Sequence, residues 1–139
     1  MTNKAFTFFE HTADVGMKAY GKTLEELFIH TAQGMVSLLV EDGTMGTDQT
    51  HPIQLSAEST DRLLVAWLKE VLFWFHTDRF LPGQYQLNVT DTELRGTVDG
   101  ERFDPAKHRP GTEIKGITYH QFQLTQRGGR WEAQVIFDV

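Results

Sequence analysis

At 139 residues, 40% hydrophobic and 12% aromatic, the chain has the size and apolar content of one domain with a sizeable core. Nineteen acidic against thirteen basic side chains give a formal charge of −6, which excludes a broad electrostatic grip on phosphates, so no strong direct nucleic-acid binding is expected. The lack of cysteine excludes disulfides, thiolate zinc sites and cysteine nucleophiles. With no apolar run of ~18 residues and no signal-peptide layout in the first residues, a cytoplasmic protein without membrane attachment is expected.

Phe6, Phe8 and Phe9, then Val15, Met17 and Ala19, read as two strands packed on a core, with the polar cluster of Phe9-Glu10-His11-Thr12-Ala13-Asp14-Val15-Gly16 where the chain turns. Tyr20-Gly21-Lys22 turns again, and Thr23 with Glu26 three positions on forms a capping box. Leu24, Leu27, Phe28, Met35, Val36 and Leu39 recur at helical spacing and predict an amphipathic helix. Residues 41–51 read as a connector; Asp42 and Asp48 lack the alternating acids and closing glutamate of a calcium loop. Ile53, Leu55 and Ala57 alternate as a strand. Ser59 or Thr60 then caps a second helix, whose Leu63, Leu64, Trp67, Leu68, Val71, Leu72 and Phe75 span so much of the circumference that it must be buried on more than one side. Trp74 and His76 fall beside that stripe.

Pro82-Gly83 is expected to end this segment, and turns at Asp91-Thr92 and Asp99-Gly100 predict a meander of short antiparallel strands over residues 84–103. Residues 104–112 carry two prolines and read as a basic loop. Arg102, Lys107, Arg109 and Lys115 cluster there, either as a local basic patch or as a solvated mixed surface. Residues 113–120 resume a strand that Phe122 and Leu124 extend. Arg127-Gly128-Gly129-Arg130 is a hairpin turn, and residues 131–139 form the last strand. The expected class is α+β: a single domain spanning residues 1–139, with mainly antiparallel sheet packed on two principal helices.

The common catalytic signatures are absent: there is no Gly-x-x-x-x-Gly-Lys loop, Gly-x-Ser-x-Gly elbow, His-Glu-x-x-His helix or dinucleotide fingerprint. Two acidic features remain. Asp14 is an oxygen donor suited to a hard cation, with His11 and Gly16 beside it, although His-Thr-Ala-Asp reads equally as a turn in which Thr12 and Asp14 cap backbone N–H groups. The chain stops at Phe137-Asp138-Val139, an aspartate next to a terminal carboxylate. If the last strand pairs beside the opening ones, Asp14, Asp138 and the Val139 carboxylate converge and call for a divalent cation; a frayed terminus is the alternative.

Residues 9–16, Thr112-Glu113-Ile114-Lys115-Gly116-Ile117-Thr118-Tyr119-His120 and Val135-Ile136-Phe137-Asp138-Val139 together resemble, in order, the three signature blocks of the archease family. The resemblance spans nearly the whole chain. It implies a small α+β protein, not itself an enzyme, that assists the RNA-splicing ligase RtcB by promoting its guanylylation and multiple turnover in tRNA splicing and RNA repair. It also implies metal ligands at Asp14, Asp138 and Val139 for a divalent cation, calcium or magnesium. The functional lysine would be Lys115, at the ligase interface or active-site mouth, and His11 and His120 would orient the aspartates. Gly116 departs from the pattern, where relatives tend to carry alanine. Two rival functions follow from the residues: a chaperone-like modulator of an RNA-modifying enzyme, which exposed Trp74, Phe80 and Leu81 would support, and a metal-dependent phosphotransferase or hydrolase using Asp14.

Overall fold

The computed structural model describes residues 5–11, 14–41 and 45–139, the side chain of His11 excepted. In chain order these form β1 (Phe6–His11), β2 (Asp14–Gly21), α1 (Leu24–Leu39), β3 (Gln49–Ser56), α2 (Thr60–Asp78), β4 (Phe80–Val89), β5 (Glu93–Arg102), β6 (Gly116–Arg127) and β7 (Arg130–Asp138). The strands make a four-stranded sheet ordered β1-β2-β7-β6 and a three-stranded sheet ordered β3-β5-β4. Every neighbouring pair is antiparallel, and both helices pack against strands of both sheets. The expected α+β class is the observed one. Among the described residues no helix is long and apolar enough to cross a membrane.

The position between two sheets explains why both helices are apolar over so much of their surface. In α2, Leu63, Leu64, Trp67, Leu68, Val71 and Leu72 are all buried, as the width of the stripe predicts. The two helices meet at the Phe28 carbonyl, which accepts the Trp67 indole N–H at 2.9 Å and the Thr31 hydroxyl at 2.8 Å. The buried polar groups of this seam are thereby satisfied. At the head of α1 the Thr23 hydroxyl accepts the Glu26 N–H at 3.1 Å, as a capping box requires, but the return bond runs from Lys22 N–H to Glu26 Oε1 at 3.0 Å.

Three expectations are corrected. Pro82-Gly83 does not end a segment: it lies inside β4, where the pairing with β5 shifts register between Pro82 and Gln84. The meander is instead one long hairpin turning at Asp91-Thr92, and Asp99-Gly100 runs straight through β5. A Cβ on Gly100 would stand 2.2 Å from the Leu81 carbonyl oxygen, so this glycine serves a close strand approach rather than a turn. Finally, Trp74 is buried at 6% exposure, edge-on to Trp67 and Phe80 at ring separations of 6.2 and 5.6 Å. It lies one heptad beyond Trp67 and so on the same side of the helix; Phe73 is the ring that faces out, at 58% exposure.

Candidate functional site

Alternation along β2 and β7 decides which side chains share a face. Met17, Ala19, Ala133, Val135 and Phe137 belong to the buried core, so Asp14 and Asp138, out of phase with them, project from the opposite face of the four-stranded sheet. The register sets Asp14 directly across from Asp138, Gly16 across from Ile136 and Gly116 on β6 across from Asp138. Residues from all three signature-like blocks therefore meet in one row at the end of this sheet. Next to that row, Phe9 pairs with Gly16, and a Cβ on Gly16 would fall 2.2 Å from the Phe9 ring. Gly16 thus admits an aromatic ring rather than a ligand.

Two carboxylates directly opposite on one face repel each other, and a positive charge between them relieves the cost. The donors in this row are all oxygens: the Asp14 and Asp138 side chains and the terminal carboxylate of Val139, one residue further on. Such a set suits a hard cation such as calcium or magnesium. Among the described residues no three His, Asp or Glu side chains gather into a metal-binding group. Val139 itself is half-buried against the core, which ties down the end of the chain.

Lys115 precedes β6, which starts at Gly116 rather than at residue 113. Its backbone N–H donates to the Asp138 carbonyl at 2.7 Å, and its side chain is exposed in a groove of about 400 Å³ shared with Lys69, Phe73 and His76 of α2. The loop before it is anchored by backbone bonds: Glu41 N–H to the Arg109 carbonyl at 3.0 Å, Gly111 N–H to Leu39 at 2.9 Å and Thr112 N–H to Leu38 at 2.6 Å. His76 Nε2 lies 3.1 Å from the Ile114 carbonyl, to which it donates.

The same loop hides a charge cluster that composition did not reveal. Glu101, 9% exposed, accepts hydrogen bonds from Gly46 N–H at 2.6 Å, Lys107 Nζ at 2.7 Å and His108 Nε2 at 3.1 Å. The Asp104 N–H donates to His108 Nδ1 at 2.9 Å, which leaves the ring proton on Nε2 for Glu101. Burial alone would raise the Glu101 pKa; the bonds from Lys107, Gly46 and His108 outweigh it and lower the value from 4.5 to about 2. Lys107 is therefore paired with Glu101 and not free for a basic patch. No sequence signal marked this cluster: His108 is 2% exposed in a two-proline loop, which spacing does not disclose.

His11 stands on β1 opposite Asp14; its side chain lies outside the described residues, as do Thr12, Ala13 and Asp42, so the capping role expected of Thr12 is outside them too. His120 is exposed in the irregular stretch of β6 between Thr118 and Gln123, its backbone N–H held by Thr118 Oγ1 at 3.0 Å.

Comparison with known proteins places this arrangement. Residues 6–139 match the model of the archease protein family (MTH1598/TM1083). The chain is 32% identical to the protein archease of Methanosarcina mazei, over 98% of this chain and 97% of that one. With that of Pyrococcus furiosus the identity is 34%, over 94% and 96%. Its fold is similar to the solution structure of Methanobacterium thermoautotrophicum protein 1598, with a TM-score of 0.85 and 29% identity over 97% and 99% of the two chains. It is also similar to a crystal structure from Thermotoga maritima described as an archease, possible chaperone, with a TM-score of 0.66 and 24% identity over 94% of each chain. The family match and the relatives, coinciding with a fold that gathers residues of the three blocks at one sheet end, establish that this chain belongs to the archease family.

Proposed function

We propose that this protein is a non-catalytic, cytoplasmic activator of the RNA-splicing ligase RtcB, promoting its guanylylation and repeated turnover in tRNA splicing and RNA repair. In this reading Asp14, Asp138 and the Val139 carboxylate hold a divalent cation, calcium or magnesium, and Lys115 meets the ligase. The observation that carries it is the register setting Asp14 across from Asp138, since ordinary packing has no use for two opposed carboxylates. When bound, the cation would supply a compact positive charge able to attract phosphate oxygens. The chain's own contributions are to hold both carboxylates on paired strands, to tie Lys115 to the same end through the Asp138 carbonyl, and to offer Lys115 as a mobile cation for phosphate or carboxylate. His11 and His120 are assigned the orientation of the aspartates.

Ligation by RtcB with excess RNA and GTP, with and without this protein, tests the proposal. Asp14→Ala and Asp138→Ala should each abolish the stimulation of multiple turnover while leaving the single-turnover reaction of pre-guanylylated ligase unchanged. Full stimulation by both variants refutes the cation reading. Trp74, Phe80 and Leu81, expected to support the chaperone-like rival if exposed, are 6%, 0% and 0% exposed, so they do not form an apolar surface for it.

A further inference from the structure

The seam between α2 and the edge strand β6 has a composition that the carboxylate row does not explain and that Lys115, offered to the ligase above, accounts for only in part. Arg62, Lys69 and His76 are spaced by seven and share one side of α2, a stretch of ~21 Å at the helical rise. Lys115 faces Lys69, Phe73 and His76 across the groove described above, and Tyr119 of β6 lies under two cations, 5.9 Å from Arg62 and 5.7 Å from Lys69. Phe73 and Tyr119, at 58% and 48%, are the two most exposed large apolar side chains among the described residues. The salt bridges found among the described residues involve Glu101; Arg62, Lys69 and Lys115 have no carboxylate within 4.0 Å there.

Three cations alternate with two outward rings on a chain of net charge −6. An acidic protein segment would account for the cations, and would cover the rings only where it also carried apolar side chains at matching positions. Unstacked bases account for both, since phosphates meet the cations and bases stack on the rings. We infer that the α2–β6 seam, through Arg62, Lys69, Phe73, Lys115 and Tyr119, binds a short single-stranded RNA segment. At about 3.4 Å per nucleotide the seam accommodates roughly six stacked nucleotides. The net negative charge keeps this contact local and weak, in line with the absence of a broad phosphate-binding surface.

The test uses fluorescence anisotropy of a labelled oligouridylate of about twelve nucleotides, with EDTA present and no ligase, so that its outcome is separate from that of the cation proposal. Binding should weaken roughly 20-fold between 50 and 200 mM salt, the dependence expected of three phosphate contacts to a single strand. Tyr119→Ala should weaken it roughly 5- to 140-fold. Lys69→Ala should reduce the slope of log affinity against log salt by about 0.7, and Lys18→Ala, on a different strand, should leave binding unchanged. Circular dichroism of each surface variant checks that the fold is kept. Absence of binding at 50 mM salt, equal binding by the Tyr119 and Lys69 variants, or displacement by polyglutamate as effective as by unlabelled RNA would each overturn the inference.

Discussion

Replacing Glu101 separates two contributions to stability that the structure distinguishes. Its Oε2 accepts from Gly46 and His108, and its Oε1 accepts from Lys107. The Lys107 side chain is 52% exposed, so its ion pair is screened and contributes little. His108 is 2% exposed and cannot turn to water. Glu101→Gln can keep an oxygen toward Gly46 and His108, but its amide –NH2 cannot accept from Lys107, so it loses that exposed bond together with charge assistance at the other two, about 1–2 kcal/mol. Glu101→Ala strands the His108 and Gly46 donors and should cost about 3–5 kcal/mol. Urea unfolding at neutral pH should therefore rank wild type, Gln and Ala in that order. The pH dependence has a fixed sign. The folded-state pKa of about 2 lies below the ordinary 4.5, so the advantage of wild type over Gln is present above about 4.5 and fades as pH falls toward 2. Equal losses in Gln and Ala, or a wild-type advantage that grows on acidification, would refute this assignment.

Calcium at a hundredfold excess over its dissociation constant should stabilise the protein by about 2.7 kcal/mol, raising the melting temperature, with the gain lost on chelation and in Asp138→Asn. Scanning calorimetry with and without EDTA reads this directly. Gly116→Ala should be neutral or stabilising by up to about 1 kcal/mol, because a Cβ there meets nothing within 4 Å; denaturant titration checks it, and a loss above that size would show strain in the strand start. Trp74→Ala should destabilise by about 3–5 kcal/mol, since the ring fills space between Trp67, Phe80 and His51. A nearly neutral result in chemical denaturation would return Trp74 to the surface.

Much of the architecture was legible because local and global preferences agree. Thr23 and Glu26 mark the head of α1, and the wide apolar stripe of α2 foretells a helix between layers. The pairing of Asp14 with Asp138 was reachable only as one of two alternatives, since spacing cannot say which strands become neighbours. The structure chooses by placing β7 beside β2. Pro82-Gly83 and Asp99-Gly100 misled because turn dipeptides are also what a bulge and a close strand crossing require. Trp74 was placed beside the stripe of α2 although it is buried, because the stripe is wide and one position along a helix is a rotation of about 100°. The Glu101–His108 cluster was invisible for a different reason: it is built by a loop folding back onto a strand, and no periodicity encodes such a return.

The central placement of β7 also governs assembly. β7 follows every other strand in chain order yet lies between β2 and β6, so a ribosome releases it after the three-stranded sheet and α2 already have all their segments. Until it inserts, β1 and β2 remain a hairpin without its neighbour, and one aspartate of the pair has no counterpart. The facing of Asp14 and Asp138 is thus completed only when the last strand takes its place in the sheet.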